Sequence, residues 1–160
     1  MPGLAFAVAL ATSGCGGAAA PAATAVPADD PAVAEAGRFV EGFFEAYLTE
    51  ARMDPGTGRV TSALAEGGYR DDPRIGAELA DQIDALREAA GEQGLSADPF
   101  VCAAEVPERA ELAEVAPVDA GRMTVRIDMW HAGQAIPFPV TATVGRSGDG
   151  AWQLVGLECR

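Results

Sequence analysis

The feature that most constrains this chain is a change of hydrophobic period at Asp98-Pro99-Phe100-Val101-Cys102-Ala103-Ala104. Before it apolar residues recur every three to four positions, and after it they alternate every second position. A chain that switches period once is helical in its first half and stranded in its second. An α+β domain follows, with the segment around Asp98 as the hinge between its halves.

The helical half opens at Asp30-Pro31, a side-chain acceptor followed by proline at the first helical position, where a missing N–H costs nothing. From there to about Arg52, Val33, Val40, Phe43, Phe44, Tyr47 and Leu48 form one stripe, with Glu35, Arg38, Glu41, Glu45 and Glu50 on the other side. Asp54-Pro55-Gly56-Thr57-Gly58 breaks the chain, and Val60 to Ala65 reads as at most a short helical turn. Asp72-Pro73 repeats the start signal. A second helix with Ile75, Leu79, Ile83, Leu86 and Ala90 as its apolar stripe is expected to stop before Gly91 and Gly94. Its other face carries Glu78, Asp81, Asp84 and Glu88, which diverge into water rather than converging as cation ligands do.

Beyond the hinge, Leu112 to Val118, Arg122 to His131, Ile136 to Val144 and Ala151 to Cys159 read as strands. The turns between them are short enough for hairpins, so the four form an antiparallel meander. Met123, Val125, Ile127 and Met129 share an inner face, and Ile136, Phe138, Val140, Ala142 and Val144 are its counterparts on the next strand. Arg126, Asp128 and Trp130 form a pairing set on the outer face. Pro137 and Pro139 deprive one edge of the third strand of two ladder donors, so its start should be frayed, bulged or unpaired there.

The N-terminus reads as an address. Leu4 to Ala11 is an apolar run far short of the ~20 residues that span a bilayer, and it suits the core of a signal peptide. Thr12-Ser13-Gly14-Cys15 resembles a lipobox, in which the cysteine is lipidated and becomes the new N-terminus. An ordinary signal peptide, or a core segment with an incidental cysteine, is the alternative. Residues 1–15 are therefore expected to be a lipoprotein signal peptide with Cys15 as the lipidation site, and 16–29 a flexible Ala/Gly/Pro tether. Residues 30–160 are the single domain. Met1-Pro2-Gly3 lacks the usual positive charge, so the true start should lie upstream and bring a basic residue with it.

Of 3 cysteines, lipidation of Cys15 leaves Cys102 and Cys159 to pair in an oxidising compartment, joining hinge to final strand. The net charge of -13, with no lysine and 11 arginines scattered among 24 acids, excludes nucleic acid as a partner. No metal site is expected from 1 histidine, His131, and no cofactor motif is present.

Taken together, Gly67-Gly68-Tyr69-Arg70, the Asp98 to Pro107 segment and the closing Trp152 to Cys159 are similar to an uncharacterised family of bacterial lipoproteins over residues 33 to 160. The resemblance implies a nuclear-transport-factor-two-like fold, with helices packed into the concave face of a curved four-stranded sheet. It carries no activity. Ala104-Glu105 stands where the family pattern continues with Gln-Asp, so any role of that Gln is lost.

The expected function is that of a cell-envelope lipoprotein, membrane-anchored by its lipid, that binds without catalysis. Its partner would be an envelope protein, peptidoglycan or a small apolar ligand. Phe43, Tyr47, Met129, His131 and Phe138 are the candidate pocket, in the cone between helix and sheet, or else simply a filled core. No catalytic residue is assigned. The alternative is a small enzyme using the same cone, with Tyr47 or Tyr69 and a carboxylate as acid and base. A buried carboxylate facing the cone would support it, and no strand position offers one.

Overall fold

The computed structural model describes residues 30–119 and 121–159; the expected signal peptide and tether, with Cys15, lie outside them. Its order is α1 (Pro31–Glu50), β1 (Arg52–Met53), β2 (Val60–Thr61), α2 (Ala77–Ala90), β3 (Arg109–Asp119), β4 (Arg122–Trp130), β5 (Phe138–Arg146) and β6 (Trp152–Cys159). The last four form one antiparallel sheet in chain order. The domain is thus α+β, two helices and a four-stranded meander.

Helix α1 starts where its capping signal stands, with Asp30 accepting from the Ala32 N–H at 2.8 Å. Its stripe Val40, Phe43, Phe44 and Tyr47 is buried in one core with Leu79 and Ile83 of α2. The same core takes Met123, Val125, Ile127 and Met129 of β4 and Val140, Ala142 and Val144 of β5, so the face read from strand alternation is the one the helices cover. On the opposite face Arg126 and Asp128 lie 3.6 Å apart, and Trp130 Nε1 donates to Glu111 at 3.1 Å.

Several local expectations are corrected by long-range pairing. Chain after α1 does not stay helical to Arg52: Arg52–Met53 pairs with Val60–Thr61 in a small hairpin around the Asp54 turn. The α2 helix begins at Ala77 and not after Asp72-Pro73, because Arg74 to Gly76 lies along β6. There Leu154 N–H donates to Arg74 O at 2.8 Å and Gly76 N–H to Leu154 O at 2.7 Å. Leu86, placed on the apolar stripe, is 47% exposed, since α2 packs through Leu79 and Ile83 and turns that side outward. Ile136 is 78% exposed and precedes β5. Phe138 and Pro139 pair with β4 alone, as the missing donors of Pro137 and Pro139 require, and β6 joins only from Val140.

Two strands carry extra residues that simple alternation misses. In β6 the register slips opposite Thr143 and Val144, with Val155 as the surplus residue, and this lets Leu154 and Leu157, three apart, both face the core. Shifts in β3 after Leu112 and Pro117 act similarly on the first edge of the sheet.

Cys102 and Cys159 are at disulfide distance, with Cα atoms 5.5 Å apart across a separation of 57 residues. Cys102 has φ 57°, the one positive φ outside glycine among the described residues. The hinge thus turns back sharply at the cysteine that meets the final strand.

Candidate functional site

The site grows from Asp98, 5% exposed and the one buried carboxylate among the described residues. Its main chain closes the hinge turn, accepting from Cys102 N–H at 2.9 Å and donating to Ala103 O at 2.9 Å. One carboxylate oxygen accepts from the Phe100 and Val101 N–H groups at 2.9 and 3.1 Å. The other accepts from the Tyr47 hydroxyl. Tyr47 in turn accepts from Ser62 Oγ at 2.9 Å, and Ser62 Oγ accepts from Ala65 N–H at 2.9 Å. A single polar chain therefore ties α1 and the 62–65 turn to the hinge, inside a wall of Phe43, Tyr47 and Phe100 rings.

Burial moves both titrating members away from their charged forms. It raises the Asp98 carboxyl, against the lowering effect of Tyr47 and the two backbone donors. It raises the Tyr47 phenol strongly, with the nearby Asp98 charge adding to the effect. Each oxygen of the pair already has a hydrogen-bond partner. Tyr69 repeats the arrangement nearer the surface, its hydroxyl donating to Asp84, which also meets Arg70 at 2.5 Å.

Two clefts lie on either side of the 95–99 loop. The first, about 200 Å³, is bounded by Arg59, Val60 and Thr61, by Ala65 and Glu66, by Arg87 and Gly91 at the end of α2, and by the loop. The second, about 190 Å³, is apolar and runs along Leu79, Ile83, Leu86 and Leu157 to the Cys102–Cys159 pair. Arg87 reaches into the first: one Nη donates to Ala65 O, and the Nε is buried with no hydrogen-bond partner.

The five candidate pocket residues fall into two groups. Phe43, Tyr47 and Met129 are fully buried and packed. His131, just past β4, stacks half-buried on Phe138 with ring centroids 5.0 Å apart. Phe43 and Tyr47 stack on each other, and His131 and Phe138 on each other, yet none of the five lines either cleft. Sequence reading found Tyr47 but missed Asp98, Ser62 and Arg87. Asp98 carried one usable signal: an aspartate followed by Pro and two apolar residues is a turn former set among core residues. Among the described residues no three Asp, Glu, His or Cys side chains come together as metal ligands. No protein family, curated protein or solved structure matches the chain.

Proposed function

We propose that this chain is an exported envelope lipoprotein, anchored through Cys15, whose domain is a non-catalytic binding module of the nuclear-transport-factor-two-like kind. Its ligand is taken at the first cleft beside the 95–99 loop, and not in the interior between helix and sheet. The observation that carries this is the contrast between two neighbouring groups. The Tyr47–Asp98–Ser62 chain is buried and saturated, whereas the first cleft is open beside half-buried Arg87 and exposed Arg59. Interiors filled by Phe43, Phe44, Phe100 and Met129 leave the ligand to the periphery. The Cys102–Cys159 pair suits an oxidising compartment.

The enzyme alternative has one observation in its favour, since Asp98 is a buried carboxylate on Tyr47. Against it stand the three donors that fill Asp98 and the absence of Asp98 and Tyr47 from a shared open surface with room for substrate: only Asp98 borders the clefts.

A thermal-shift screen of envelope metabolites on the full chain in detergent micelles tests the binding module. At least one compound should raise the melting temperature, and Ala97→Trp, which fills the cleft from its rim, should abolish that rise. If Ala97→Trp leaves the rise intact, the ligand sits elsewhere. Stabilisation lost in Tyr47→Phe, with turnover of the compound lost as well, would favour the enzyme. Cell fractionation tests the anchor, with Cys15→Ala expected to move the protein out of the membrane fraction.

A further inference from the structure

We propose that the Cys102–Cys159 bond is a redox latch on the 95–99 loop: reduction by a dithiol loosens the wall of the first cleft and lowers its hold on a ligand, the last step resting on the binding-module reading. Leu95, Ser96, Ala97, Asp98 and Pro99 border both clefts, so one strip of chain separates them. Among the described residues no backbone group hydrogen-bonds to the main chain of Leu95, Ser96 or Ala97, which leaves the position of the strip to its two ends. Both ends turn through the left-handed region, Gly94 with φ 65° and Cys102 with φ 57°. Glycine takes that conformation freely, whereas a cysteine there is crowded by its own Cβ. Cys102 therefore has cause to leave it once the bond to β6 is gone.

A shift at Cys102 reaches the first cleft through three backbone hydrogen bonds. Its N–H donates to Asp98 O at 2.9 Å, Asp98 N–H donates to Ala103 O at 2.9 Å, and Val60 N–H donates to Ala104 O at 3.2 Å. Val60, Asp98 and Ala104 all line that cleft. The bond is also within reach of a reductant, since Cys159 is exposed, Cys102 is half-buried and both border the second cleft. A thiolate of the dithiol attacks the Cys159 sulfur, the S–S bond breaks, and Cys102 leaves as a thiolate that takes up a proton. The second thiol of the reductant attacks this mixed disulfide and frees Cys159 as a thiol. Two electrons and two protons thus pass to the chain, and the reductant ends as a disulfide. Loosening stays local, because Phe43, Phe44, Met123, Ile127 and Leu154 are buried between helices and sheet whether or not the bond is present.

The test compares the oxidised full chain in detergent micelles with the same chain in dithiothreitol, by hydrogen exchange read in a mass spectrometer. Reduction should go to completion without urea, and should speed exchange about tenfold or more across 95–104 while β4 and β5 keep their protection. A bond that yields only after unfolding overturns the latch, and so does exchange that is unchanged across 95–104 or raised equally in the sheet. Two double variants isolate the backbone. Cys102→Ser with Cys159→Ser should exchange like the reduced chain, whereas Cys102→Gly with Cys159→Ser keeps the left-handed turn without crowding and should lie nearer the oxidised one. Equal exchange in the two overturns the part given to the conformation of Cys102. For a compound that the thermal-shift screen finds, reduction should cut its stabilisation at least about twofold, and an equal rise in both forms overturns control of the cleft. If the screen finds none, the binding module fails while the exchange result still judges the latch.

Discussion

At the scale of single residues, Asp98 decides most. Its three donors are the hydroxyl of Tyr47 and the backbone N–H groups of Phe100 and Val101, so removing the carboxylate strands three polar groups in a dry interior. Asp98→Ala should cost about 3 kcal/mol, measured by urea unfolding. Asp98→Asn keeps an acceptor for the two backbone donors and should cost roughly half that. The pH dependence has a definite sign. A carboxyl whose folded pKa is raised stays protonated in the native state where the unfolded chain has lost the proton. Its contribution is fully present below the unfolded carboxylate value and is lost as pH rises through the folded one. Asp72, lowered by its hydrogen bond from Arg74, acts in the opposite sense: its contribution is present above the unfolded value and lost as pH falls. The stability gap between wild type and Asp98→Asn should therefore widen as pH falls from 7 towards 4, and a gap that narrows would show that Asp98 is held as a carboxylate.

Among elements, α2 shows how far local signals reach. Asp72-Pro73 is a sound helix-start pattern, and Asp72 does accept from Arg74 N–H at 2.8 Å. The helix waits until Ala77 because β6 offers Arg74 and Gly76 a partner strand at Leu154, and two backbone hydrogen bonds outweigh one turn of helix. Gly76 is needed for that approach: a Cβ there would stand 2.9 Å from Val155 Cγ1 and 3.2 Å from Leu154 O. Gly76→Ala should destabilise by about 1–2 kcal/mol despite alanine's better helix propensity, which denaturant titration checks. Stability unchanged or raised would mean that the segment shifts off β6 without cost.

For the whole molecule, the Cys102–Cys159 link matters because it joins the period switch to the last strand. Closing a separation of 57 residues stabilises by about 4 kcal/mol as an upper estimate in the chain-entropy account. Thiol titration of the unfolded, unreduced chain should find neither cysteine reactive, and Cys159→Ala should lower the denaturation midpoint by an amount equivalent to about 2–4 kcal/mol. The first cleft borders the loop that leads into this link, so the same variant should weaken ligand binding there. Helices, strands and the inner face of β4 were legible in the sequence because each depends on neighbours a few residues apart, and Phe43, Val125 and Met129 lie where their period puts them. The order of the meander followed from turns too short for any other connection. Burial of Asp98, the late start of α2, the slip at Val155 and the cleft at Arg87 were decided only by tertiary structure. Each arises where distant segments meet, 59–66, 87–91 and 94–99 around the cleft and 74–76 and β5 against β6, and no local period encodes which distant backbone will arrive to satisfy a given polar group.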